Sequence, residues 1–215
     1  MKIYISSAET GLTSKKRTSI AKKSTDPNEL SSFAHDNSEL VRLAVFKNKY
    51  TPQDTIDQLA QELVHAKSGD VRREVVDMTT DPDILAQFAD DPYWDIRWEV
   101  AKKTNDPDTL AKLADDENGS IRATVVKRTD DPDILAKSAD DEDKYVRIAV
   151  ARNTDDPDIL AKLADDEEWR VRLAVARGTD DPDILAQLAD DEDEYVRRVA
   201  LKRYQYAPSR TTPTL

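Results

Sequence analysis

The octapeptide TDDPDILA stands at residues 129–136, 154–161 and 179–186, and a near copy, TTDPDILA, at 79–86. The three identical copies are 25 residues apart, so the chain is best laid out in rows of that length. Rows beginning at Val71, Ile96, Ile121, Val146 and Val171 stay in register without a gap, and those at 146 and 171 agree at 19 of 25 positions. A weaker row starts at Lys16. The row at Val41 runs to 30 residues, with an insertion near 61–70, and a half-row begins at Val196. Self-similarity at this period marks a solenoid, in which each unit buries its apolar face only by stacking on its neighbours.

Each row spells two short helices. The first, of the type VRLAVARN, has apolar side chains at row positions 1, 4, 5 and often 6, one face of a helix. The second starts inside the repeated octapeptide. Asp131, Asp156 and Asp181 precede prolines and suit the N-cap, where a carboxylate accepts an orphan backbone N–H. Pro132, Pro157 and Pro182 then fall at the first helical position, where a missing N–H costs nothing. Asp133, Asp158 and Asp183 favour the positive helix end. The expected fold is all-α: a superhelical solenoid of about seven two-helix repeats over residues 16–203. A basic N-terminal arm or cap at 1–15 and an extended tail at 204–215 flank it.

Composition fits that reading and narrows the chemistry. Of 215 residues, 38% are hydrophobic and 35% charged, polar for a compact globule but acceptable for an elongated stack. There is no cysteine, which excludes disulfides, thiolate metal sites and a cysteine nucleophile. No apolar stretch is long enough to span a bilayer, and the first residues, MKIYISSAETGLTSKKR, lack the apolar core of a signal peptide. A cytoplasmic location without membrane contact is expected. The net charge is −12, but residues 1–25 carry six Lys/Arg against one Glu, so the remainder bears −17. An acidic body repels phosphate backbones, which disfavours nucleic acid as a partner.

One arginine recurs at row position 2, as Arg17, Arg42, Arg72, Arg97, Arg122, Arg147, Arg172 and Arg197. It reads either as a phosphate-binding ladder or as a staple to the Asp-Asp of a neighbouring turn, such as Asp140 or Asp165. The staple is preferred, because both partners share one period.

The row VRLAVARGTDDPDILAQLADDEDEY resembles the variant leucine-rich repeat, with its V-R-x-A-V-A-x-N segment followed by P-x-x-L-x-x-L-A-x-D, and more distantly the HEAT repeat. The resemblance covers about residues 16–203. It implies a right-handed superhelix in which α-helices alternate with short helices, often 3₁₀. Some relatives carry a cysteine-ligated iron–sulfur module, which a chain without cysteine cannot hold. The family has no shared catalytic residues to carry over, and such solenoids mostly bind other macromolecules.

In a repeat protein the recurring positions serve packing, so candidate contacts are sought where the rows vary. Row position 3 holds Leu43, Arg73, Trp98, Ala123, Ile148, Leu173 and Arg198, and positions 23–25 hold Tyr93, Trp94, Tyr145, Trp169 and Tyr195. The candidate partner-binding set is therefore Tyr93, Trp94, Trp98, Tyr145, Ile148, Trp169, Leu173 and Tyr195. The competing reading makes the same aromatics fillers of the seams between units. Ser138 replaces the Leu or Phe of row position 18 and thins the core of its unit.

Motifs for catalysis are absent: no P-loop, nucleophile elbow, G-x-G-x-x-G or H-E-x-x-H occurs, and the two histidines, His35 and His65, fall in different rows. No catalytic, cofactor or metal residues are assigned. The leading expectation is a non-catalytic scaffold that binds another protein. The alternatives are a HEAT-like nucleic-acid binder or DNA glycosylase, and an acidic mimic of DNA that occupies the groove of a DNA-binding protein.

Overall fold

The computed structural model describes residues 11–205. Most of the expected basic arm and tail thus lies outside the described residues. Fifteen helices and no strand are found among those described. They fall into two compact units, 1–106 and 107–215.

The first unit contains α1 (Ser14–Lys23), α2 (Pro27–Phe33), α3 (Glu39–Phe46), α4 (Gln53–Leu63), α5 (Gly69–Met78), α6 (Pro82–Gln87) and α7 (Trp94–Lys103). The second contains α8 (Pro107–Leu113), α9 (Gly119–Val126), α10 (Pro132–Ser138), α11 (Lys144–Asn153), α12 (Pro157–Ala164), α13 (Trp169–Gly178), α14 (Pro182–Leu188) and α15 (Glu194–Tyr204). Within each unit the odd helices stack on one another, α1 on α3 and α5 on α7, α9 on α11, α13 and α15 in succession. The even helices pack beside them, so successive pairs repeat as the rows do. This is the all-α, solenoid-like stacking expected of the rows. The second helix of every pair is α-helical.

The repeated octapeptide works as a chain of caps. Thr129, Thr154 and Thr179 are buried, and each Oγ accepts the N–H of the Asp two residues on, at 3.0–3.1 Å. That Asp in turn accepts two N–H groups of the following helix. Asp156 Oδ1 lies 2.9 Å from Asp158 N and 3.2 Å from Ile159 N. Asp81, Asp131 and Asp181 repeat the geometry. Pro at the first helical position completes a start that needs no further donor or acceptor.

Core packing follows the same period. Val146, Val150, Val171, Val175 and Val196 are fully buried, and the second helices add Leu160, Leu163 and Leu188 to the same cluster. Each such side chain contributes about 1.5–3 kcal/mol by leaving water, which one isolated row cannot realise.

Two sequence expectations need correction here. The extra residues of the 30-residue row do not lie at 61–70. Leu59, Ala60, Leu63 and Val64 are buried as Ile84, Leu85, Phe88 and Ala89 are in the next row, so the added residues precede Leu59 and lengthen the start of α4. That start also lacks the usual cap. Thr51 takes the place of the capping Asp, its hydroxyl donates to Val45 O at 2.6 Å, and Pro52 becomes the N-cap residue with no side-chain bond. Second, row position 3 is buried in three consecutive rows of the second unit, and only Arg198 of the last row is exposed there. Ala123, Ile148 and Leu173 are 6%, 8% and 8% exposed, because this position faces the stacked odd helices.

Candidate functional site

The arginines of row position 2 form ladders that join successive turns. Arg122, Arg147 and Arg172 each give Nε and Nη2 to one carboxylate 19 residues on: Asp141, Asp166 and Asp191, all at 2.7–3.0 Å. Their Nη1 reaches back to the turn that opens their own helix. Arg147 Nη1 donates to Asp141 O at 2.7 Å, Arg172 Nη1 to Asp166 O at 2.8 Å, and Arg197 Nη1 to Asp191 O at 2.6 Å. One continuous run therefore links Arg122, Asp141, Arg147, Asp166, Arg172, Asp191 and Arg197. The same carboxylates accept the N–H two residues on, as Asp166 does from Glu168 at 2.9 Å, which fixes the turn shape.

The staples thus engage the second Asp of each pair, not Asp140 or Asp165 as expected. The first Asp points to solvent and makes a different inter-row contact: Asp140 accepts from Lys162 at 2.5 Å and Asp165 from Gln187 at 2.7 Å. Two adjacent carboxylates look alike in sequence, and only the turn decides which one faces inward.

Electrostatics matches the geometry. Burial pushes the Asp141 and Asp191 carboxyls up. The Arg122 and Arg172 guanidinium groups, with the N–H groups of Asp143 and Asp193, outweigh it and hold both below the ordinary carboxylate range. Hydrogen bonding to these carboxylates raises the arginines in return. The guanidiniums are committed to internal partners, so they do not form a phosphate-binding ladder.

In the first unit the same run is interrupted. Arg17 binds Asp36 at 2.6 and 3.0 Å, and Arg72 binds Asp91 at 2.6 and 3.1 Å. Arg97 Nη1 donates to Asp91 O at 2.8 Å. Between them Arg42 reaches Asp36 O at 2.6 Å, but its Nε is buried without a hydrogen-bond partner, with Glu62 no nearer than 4.0 Å. The missing carboxylate is at Ala66, whose carbonyl accepts from Arg72 Nη1 at 2.8 Å as Asp141 O does from Arg147. Glu39 takes over the other half of the lost job, accepting the N–H groups of Lys67 at 2.8 Å and Ser68 at 3.2 Å. The Lys67 N–H, with that of Ser68, keeps the Glu39 carboxyl below its ordinary range although burial opposes them. Sequence inspection missed this pair. The signal was an Ala at the only full row whose second turn lacks the inner Asp.

The aromatic candidates divide. Tyr93, Trp94, Tyr145 and Tyr195 are 53%, 53%, 63% and 56% exposed. Trp98 and Trp169 are half-buried. Ile148 and Leu173 are core, so the binding role assigned to them does not hold. In the first unit Lys102 lies over Trp98 at 4.3 Å and Arg72 over Tyr93 at 5.5 Å. In the second, Trp169 and Tyr195 stack across adjacent rows at 6.2 Å. Lys144, Arg170 and Arg198 cover Tyr145, Trp169 and Tyr195 at 5.8, 4.4 and 5.2 Å. Lys144 is also tied to Glu168 at 3.0 Å, and Glu168 to Arg170 at 3.0 Å. In the second unit these links prearrange an edge where the odd helices begin. No described helix is long and apolar enough to cross a membrane.

No protein-family model and no curated protein matches the chain. Among solved structures, a leucine-rich repeat variant described as having a novel repetitive structural motif is similar, with a TM-score of 0.71 and 26% identity. The match covers 90% of this chain and 77% of the other. The repeat read from the rows and the repeat seen in the helix pairs thus agree, and the chain has the fold of a leucine-rich repeat variant.

Proposed function

We propose that this chain is a non-catalytic repeat scaffold that binds another protein through aromatic side chains exposed at the starts of the odd helices in each of its two units. The carrying observation is that Tyr93, Trp94, Tyr145 and Tyr195 stand more than half exposed at neighbouring row positions. Aromatic side chains bury large area for little entropy, which is why they dominate the energetic centres of protein contacts. The cations lying on the rings add a polar rim and hold the side chains ready.

The test is capture from lysate by the full chain and by a triple variant, Trp94→Ala, Tyr145→Ala and Tyr195→Ala, across a salt series with duplex DNA in parallel. The expected result is salt-tolerant capture of a discrete partner, lost in the variant while its helical circular dichroism is unchanged. DNA capture that weakens steeply with salt contradicts it and supports the nucleic-acid alternative.

A second reading has its own observation. Glu142, Glu167 and Glu192, one per row, are 89%, 91% and 84% exposed at the side chain, a regular line of carboxylates on the second unit. Such a line suits mimicry of a phosphate backbone. Salt-sensitive capture of a basic DNA-binding protein, indifferent to the aromatic substitutions, is its signature.

A further inference from the structure

A groove of about 450 Å³ opens in the first unit where the lengthened α4 passes the end of α5 and the start of α6. The added turn of α4 supplies Ile56 and Asp57, and the facing wall supplies Met78, Asp81 and Ile84. Phe46, the last residue of α3, also lines it. Two features set the site apart from the rest of the chain. Met78 is 45% exposed, and it is the only apolar side chain at row position 8. The other rows place Lys23, Asn48, Lys103, Arg128, Asn153, Gly178 and Arg203 there.

Position 8 has a job elsewhere. Lys103 Nζ donates to Val76 O and Asp77 O at 2.6 and 2.7 Å, and Asn48 Nδ2 donates to Ala21 O and Ser24 O at 2.7 and 3.0 Å. In both cases the side chain covers the negative C-terminal end of the preceding odd helix. A thioether has no proton to give, so Met78 cannot do this for α3. The groove combines an apolar floor, which includes Phe46 at the C-terminal end of α3, with the carboxyl residues Asp57 and Asp81. No Lys or Arg lines it.

We propose that this groove seats a partner-protein segment bearing a Lys or Arg beside an aliphatic side chain. The aliphatic group rests on Phe46, Ile56 and Met78. The cation takes the place that Lys103 fills one row later. The site shares no residue with the exposed aromatic set, so the two proposals stand or fall separately.

The probe is a short fluorescent peptide of lysine and leucine, titrated by anisotropy into the full chain. A lysine–alanine version and a glutamate–leucine version serve as the other arms. Met78→Lys supplies the missing cation from within and fills the floor, and Asn153→Lys adds the same charge at the same row position of the second unit. Lys103 already occupies this position one row on, so circular dichroism and melting of Met78→Lys should match the parent. The lysine–leucine peptide is expected to bind the parent and Asn153→Lys alike, and Met78→Lys about tenfold more weakly or less tightly still. Two results overturn the proposal. One is equal weakening by Met78→Lys and Asn153→Lys. The other is lysine–alanine binding as tight as lysine–leucine, either of which reduces the effect to general attraction to an acidic chain.

Discussion

The arginine run of residues 122–197 and that of residues 17–97 are built from the same row, yet only the first is unbroken. In the second unit Arg122, Arg147 and Arg172 each have one inner carboxylate 19 residues on and one carbonyl 6 residues back. In the first, Ala66 removes a carboxylate, Arg42 keeps a buried Nε without a partner, and Glu39 reaches over to hold the turn. The difference teaches what the Arg–Asp pair does. It carries two separable tasks, neutralising a buried guanidinium and pinning the turn, and the interrupted row has replaced only the second.

The largest expected effect comes from making the second unit resemble the first. Asp166→Ala leaves Arg147 without its carboxylate and frees the Glu168 N–H in a pair whose side chains are 11% and 7% exposed. Breaking such a pair costs about 3 kcal/mol, read as a fall in the urea midpoint. The reverse change is Ala66→Asp, which is expected to raise stability by about 1 kcal/mol by giving Arg42 its partner. A double-mutant cycle sharpens it. Glu39→Ala should cost about 1–2 kcal/mol in the parent and much less in Ala66→Asp, since the new carboxylate takes over the Ser68 N–H. Additive effects would show that Glu39 does not substitute for the lost aspartate.

Smaller still is the cap difference. Asp181→Ala should cost about 1 kcal/mol, because α14 loses the acceptor for two N–H groups. Weakening a start that never had a carboxylate, with Thr51→Ala, tests a different bond, the hydroxyl to Val45 O.

Acid gives a graded version of the same contrast. The carboxyls of Asp36, Asp141 and Asp191 are held low in the folded chain, each against burial, by an arginine and by a backbone N–H. The unfolded chain therefore binds these protons first, and the stability they supply is complete above about pH 4 and lost as pH falls through the folded values. Thermal melts between pH 5 and pH 2.5 are expected to fall for the parent. In Asp141→Asn the fall should be shallower, from a lower starting point.

Much of this was legible in the rows. The 25-residue period, the Asp–Pro helix starts and the arginine position follow from identities that recur in register, and each has one physical meaning in a stacked fold. What stayed hidden depended on direction. Nothing in "DD" says which carboxylate faces the arginine, so Asp140 and Asp165 were expected where Asp141 and Asp166 stand. Position 3 varies in sequence, which suggested a surface, yet Ile148 and Leu173 vary only among aliphatics, and that restriction was the overlooked sign of burial. The added residues of α4 were misplaced because the acidic turn that marks the end of other rows is missing at Ala66. The groove beside Met78 had a readable signal, an apolar residue in a column of polar ones, but no meaning until the helix-end contacts of Lys103 and Asn48 at the same row position were seen.

The most direct test of the ladder is parallel urea unfolding of Arg147→Ala and Arg42→Ala in the full chain. Arg147 holds a buried carboxylate that its loss strands, whereas Arg42 holds none. The expected result is a loss of about 3 kcal/mol for Arg147→Ala and under about 1 kcal/mol for Arg42→Ala. Equal losses would mean that the arginines act through packing alone and that the carboxylate partnership does not weld the turns together.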